Sequence, residues 1–207
     1  MDHLSAEFEV LVARCLSGSE GSSHWESGSS HQLEMWGPLP DSWAGNFALH
    51  CFGRGITIKA GDAIEVSTGR WAARFELAQV REPGVALEGD FMWMARRPPR
   101  GVPMLPAPEV VVEVSDASSD EELLLAQVRG RDSIGLLADV LRRFGALGLA
   151  PRRFSLRSDG GCVFDHFWLE QVAAATPRRE VAISRLERSR AREPRRRWPH
   201  PPEEVCG

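Results

Sequence analysis

Leu4, Phe8, Leu11, Val12, Cys15 and Leu16 recur at the spacing of one helical face, so the chain opens with a short amphipathic helix that needs a surface to pack on. The stretch from Gly18 to Ser30 is small and polar, which predicts a flexible linker, with Trp25 as a candidate contact for a partner. From Leu33 to Met94 the pattern changes to short period-two runs punctuated by Gly, Asp and Pro, and strands follow from it. Trp43-Ala44-Gly45-Asn46-Phe47-Ala48-Leu49 recurs 28 residues later as Trp71-Ala72-Ala73-Arg74-Phe75-Glu76-Leu77, a shared W-A-x-x-F-x-L. Two strands, each burying an aromatic face, are expected. Between them Ile56 to Lys59 and Ala63 to Val66 read as two further strands, closed by turns at Ala60-Gly61-Asp62 and Ser67-Thr68-Gly69. The simplest assembly is an antiparallel meander, with Phe91 to Met94 as a last apolar run before Arg96-Arg97-Pro98-Pro99-Arg100, where a domain boundary is expected.

The second half has another grammar. Val110 to Val114 is a β-branched strand and Leu123 to Val128 a second one. Leu136, Leu137, Val140, Leu141, Phe144 and Leu147 form a helical stripe ending at Gly148. Phe154 to Arg157 and Cys162 to Leu169 flank Ser158-Asp159-Gly160-Gly161, a hairpin signal. The order is strand, strand, helix, hairpin, followed by a helix expected at Pro177 to Arg192.

Charge refines this division. Residues 1–107 carry 9 basic and 13 acidic side chains, residues 108–172 carry 7 and 11, and residues 173–207 carry 9 and 5, so the net −4 conceals a basic tail. All basic residues but Lys59 are Arg, which reads as coding bias. The four cysteines stand far apart with no C-x-x-C pair and read as reduced thiols. With no long apolar run and no signal-peptide order at the N-terminus, the expectation is a soluble, cytoplasmic protein without membrane contact.

Asp132-Ser133-Ile134-Gly135-Leu136-Leu137 stands where the ACT domain family carries D-R-P-G-L-L, and the hairpin from Phe154 to Gly161 with Asp165-His166-Phe167 echoes the family's A-x-I-x-T-x-G and D-x-F. The segment resembles an ACT domain, most nearly the ACT repeats of bacterial uridylyltransferase tails and of plant ACT-repeat proteins. It departs from the family at Ser133-Ile134 and at Ala150-Pro151, and Val110 to Val114 is expected to fill the sheet edge in place of a fourth strand. The resemblance implies a ferredoxin-like βαββαβ module, a regulatory role, an amino-acid ligand held by Asp132, Ser133, Ile134, Gly135 and Leu136, and pairing with another module, as a homodimer or within the chain. Physics gives the loop a reason, because a glycine at a strand-to-helix junction and the unpaired N–H groups of the first helical turn suit a carboxylate.

The expected fold class is therefore α+β: an antiparallel β-rich N-terminal domain plus a ferredoxin-like ACT module. The expected divisions are a helix (1–17), a linker (18–32), a β-rich domain (33–100), an ACT-like domain (108–193) and an Arg/Pro-rich tail (194–207). Residues 63–77 loosely resemble the family's hairpin, which leaves open that 33–100 is a diverged copy.

Catalysis is not expected, because the chain has no G-x-S-x-G elbow, phosphate loop or H-E-x-x-H. No cofactor or metal is expected either, since His31-x-x-Glu34 and Asp165-His166 are two unlinked pairs. Asp165 reads equally as a site residue or as a polar residue on the solvent side of a strand. Trp43 and Trp71 alternate with Phe and Leu and read as core. Two alternatives stay open: a ligand-free interaction adaptor, and nucleic-acid contact through the arginines of the tail, which Glu180, Glu187, Glu193 and the acidic body argue against.

Overall fold

The structure, a computed structural model, describes residues 5–18, 20–27, 31–78, 86–101, 110–117, 123–172 and 179–187. Its elements are α1 (Ala6–Leu16), β1 (Ser22–Ser27), β2 (His31–Pro38), α2 (Trp43–Arg54), β3 (Thr57–Ser67), β4 (Arg70–Ala78), α3 (Ala86–Arg96), β5 (Val110–Asp116), β6 (Leu124–Arg131), α4 (Leu136–Ala146), β7 (Leu149–Asp159), β8 (Cys162–Gln171) and α5 (Arg179–Glu187). All eight strands join one antiparallel sheet in the order β1-β2-β4-β3-β7-β8-β6-β5. This overturns the expected pair of folds, a separate β-rich domain and a ferredoxin-like ACT module. The physical reason lies in β3 and β7, whose pairing removes two long edges that separate sheets would leave exposed.

The two halves repeat one plan, ββαββα. Helix α2 opens at Trp43 and α4 at Leu136, 93 positions on, and β2 and β6 open at His31 and Leu124 with the same offset. Both helices are followed by a left-handed glycine, Gly55 and Gly148, each at φ 68°. Asn46 and Asp139, again 93 apart, are the buried polar residues of the two helices. The pairing of β3 with β7 obeys the same offset: Gly61↔Leu156 and Ala63↔Phe154 flank Asp62↔Ser155, so the register maps onto itself when the halves exchange. A pseudo-twofold axis therefore passes between Asp62 and Ser155.

Several sequence expectations are corrected by this frame. The first W-A-x-x-F-x-L copy is helix α2, where Trp43, Ala44, Phe47, Ala48 and Cys51 are buried in helical phase and Leu49 is only half-buried. The second copy is strand β4, with Trp71, Ala73, Phe75 and Leu77 buried in period two. Ala60-Gly61-Asp62 makes no turn; β3 runs through it, and a Cβ on Gly61 would stand 2.4 Å from Phe75 Cδ1. Phe91 to Met94 lie in α3 rather than in a strand. Strand β1 occupies part of the expected linker, and Trp25 stacks on His31 at 5.2 Å and meets Phe91 at 5.3 Å.

The core lies between the sheet and the helices α2 to α5, with Trp43, Phe47, Trp71, Phe75, Phe144, Phe154 and Phe167 fully buried. Helix α1 packs on the opposite face of the N-terminal half, setting Phe8, Leu11 and Cys15 on Ala72. Cys15 and Cys51 are free, buried thiols, as the sequence leads one to expect of them. Strand β5 forms the sheet edge at Val110 to Val114. Among the described residues no helix is long and apolar enough to cross a membrane. The tail from 194 to 207 lies outside the described residues.

Candidate functional site

Strand β6 ends at Arg131, and the chain turns into α4 through Asp132, Ser133, Ile134 and Gly135. Gly135 is the N-cap at φ 91°, a left-handed conformation, and no side chain caps the helix. Its carbonyl accepts from Asp139 N at 3.0 Å, and Leu136 N donates back to Ser133 O at 3.1 Å. A helix so capped leaves donors of its first turn facing outward. The loop is fixed to the hairpin by Asp132 N donating to Gly161 O at 2.7 Å.

All five loop residues named from sequence line one small cavity, with the opposite wall supplied by Ala48, Cys51, Ile56 and Thr57 at the α2 to β3 corner and the floor by Leu156, Val163 and Asp165. The cavity thus sits where the two halves meet. About 40 Å³ of it admits the centre of a water-sized sphere, room for about three waters. Within the group the roles differ. Leu136 is buried in the core, Ile134 is 37% exposed, and the Ser133 Oγ is buried with no hydrogen-bond partner. The Asp132 carboxylate faces Lys59 Nζ of the other half at 3.6 Å.

Asp165 is buried on the inner face of β8, not on the solvent side. Its Oδ1 accepts from Arg157 N at 3.1 Å. Burial pushes its carboxyl up to about 7; the Asp132 charge adds to the rise, and the Arg157 backbone N–H and guanidinium oppose it. Cys51, in the opposite wall, has its thiol pushed far up by burial and acts as an apolar group rather than a nucleophile.

The internal repeat explains why the space exists. Gly61 pairs with Phe75 and its counterpart Phe154 with Phe167, so β4 and β8 correspond at an offset of 92. The counterparts of Leu136 and Val163 in the N-terminal half are then Trp43 and Trp71, whose rings meet edge-on at 5.4 Å and are fully buried. The counterpart of Asp165 is Ala73, also buried. One half fills this place with two indoles; the other leaves it smaller-walled and lines it with a carboxyl. Lys59 and Thr57 escaped the sequence reading as site residues, and of the two only Lys59, the sole lysine, carried any signal; Asp165 was singled out there but left between two readings. Among the described residues no cluster of His, Cys, Asp and Glu suited to a metal is present. Comparison of the chain with protein-family models, curated proteins and solved structures finds no match in any of the three.

Proposed function

We propose that this chain is a non-catalytic regulatory protein that takes up a small amino acid in the cleft between its halves. The observation carrying the reading is the orphaned Ser133 Oγ inside a cavity that also holds an uncapped helix start and a buried carboxyl. The two charges of an amino acid fit the two ends of that cavity. Its carboxylate meets the first-turn N–H groups of α4, and its ammonium meets Asp165 and the Ser133 hydroxyl. The limited volume favours glycine, alanine or serine over larger side chains. Because Asp132, which pairs with Lys59 of the other half, acts on Asp165 through its charge, an ammonium bound at Asp165 is coupled to the joint between the halves. From the ACT resemblance this reading keeps only the loop and its ligand class, not the fold.

Thermal melting in the presence of each of the twenty amino acids tests it. A ligand at one hundred times its dissociation constant stabilises the folded chain by about 2.7 kcal/mol and raises the melting temperature by about 5–10 °C. Gly135→Asp, which places a carboxylate at the helix start and strains the left-handed position, removes the rise. Absence of any rise at millimolar concentrations overturns the reading in favour of a ligand-free adaptor.

A further inference from the structure

Phe164, His166 and Trp168 alternate along β8 and stand on the sheet face opposite to the core helices, while Val163, Asp165 and Phe167 between them point inward. Same-side residues on a strand stand about 6.6 Å apart, and the His166 and Trp168 ring centroids lie 6.3 Å apart. On the same face of the N-terminal half, α1 covers β2, β3 and β4. Phe164 is left 36% exposed, a large ring at the surface of the middle of a sheet.

Arginines border this ladder. Arg129 lies opposite Phe164 and Arg131 opposite Cys162 across the β6 pairing. Arg153 lies opposite Trp168, with its guanidinium carbon 4.4 Å from the ring centroid. Among the described residues Arg129 bonds only to Gln127, and none of these three arginines makes an ion pair. Of the acids of this face, Asp62 pairs with Arg157 and Glu170 with Arg152, Glu113 stands opposite Gln127 on the outer strand β5, and Asp159 stands at the end of the face, across Cys162 from Arg131. The rings and the three arginines therefore form one continuous aromatic and cationic surface.

We propose that this face binds single-stranded nucleic acid, with bases stacking on Phe164 and Trp168 and phosphates meeting Arg129, Arg131 and Arg153. Stacking suits unpaired bases, whose faces are free, and guanidinium groups serve both as phosphate donors and as stacking planes. A row of same-side rings matches the path of an extended strand. The surface lies on the opposite side of the sheet from the cleft and does not depend on a ligand there.

Fluorescence anisotropy of the full chain with labelled oligothymidylate and oligouridylate of about ten nucleotides tests the proposal. Binding is expected, falling with salt at a log–log slope of about −2 for three phosphates. Phe164→Ala and Arg129→Ala each weaken it about tenfold. Arg129→Ala leaves the melting temperature in place, while Phe164→Ala, whose ring is 36% exposed, lowers it by a few degrees and leaves the chain folded at the assay temperature. Gly135→Asp leaves it unchanged, which separates this face from the cleft. No binding at tens of micromolar overturns the proposal. So does equal affinity for a duplex, or binding that survives both substitutions and is lost on removing residues 188–207. A dimer in sedimentation that Phe164→Ala dissociates assigns the face to a second copy of the chain and likewise overturns it.

Discussion

Asp165 is the carboxyl of the cavity, and burial shifts its chemistry well away from that of an ordinary carboxylate. Its carboxyl, normally at 3.8, is pushed up to about 7 by burial, so between about pH 4 and pH 7 the folded chain holds a proton that the unfolded chain releases. The stability associated with that proton is fully present below about pH 4 and is lost as pH rises through 7, a change on the order of 4 kcal/mol in the limit. Asp165→Asn removes the slope. Chemical denaturation at pH 5 and pH 8 should therefore show the wild type weaker at pH 8 and the variant nearly constant; a parallel decline in both places the titration elsewhere. Ligand uptake carries the opposite sign, since an ammonium is held by the carboxylate form, and affinity for a small amino acid rises from pH 6 to pH 8. Sequence left this residue undecided because Val163-Phe164 and Phe167-Trp168 put apolar side chains in both phases of the strand, so alternation alone could not say which face Asp165 joined.

At the scale of elements, β3 depends on a missing side chain. Gly61 faces Phe75 so closely that any Cβ meets the ring, and Gly61→Val is expected to lower stability by about 1–3 kcal/mol through overpacking, read from the midpoint of urea unfolding. An unchanged midpoint would mean that β3 and β4 separate there without cost. The same residue shows why sequence misjudged the element: Ala-Gly-Asp is turn chemistry locally, and only the ring across the ladder reveals it as a close approach. The W-A-x-x-F-x-L pair teaches the same lesson. Trp and Phe four residues apart fit one face of a strand or of a helix, and the two copies adopt one each. The second half was far more legible, since α4 is strongly amphipathic and ends at a glycine, and a Gly-Gly turn closes the β7 to β8 hairpin. The loop from Asp132 to Leu136 was located from sequence, but its opposite wall was not, because the residues at 48 to 57 that complete the cavity are some eighty positions away and carry no motif.

For the whole molecule the sheet sets the behaviour. The segment at 98–100 falls between the two ββαββα repeats, which β3 and β7 join in one ladder over a shared core. Calorimetry is expected to give a single unfolding transition whose van't Hoff and calorimetric enthalpies agree; two resolved transitions would restore two independent domains. The duplicated plan was hidden in the sequence because burial, not residue identity, is what the copies share: Trp43 answers to Leu136, Trp71 to Val163, Asn46 to Asp139. The paired indoles have a consequence for how the chain tolerates change. Trp43 and Trp71 each leave an Nε1–H buried without an acceptor, so they are kept for bulk rather than for bonding. The first repeat fills this place with two indoles, and the second, on the function proposed above, uses it to bind. Substitutions scored for folding will concentrate on the rings of residues 43 to 75, substitutions scored for binding on residues 132 to 136 and 165, and the two sets will scarcely overlap.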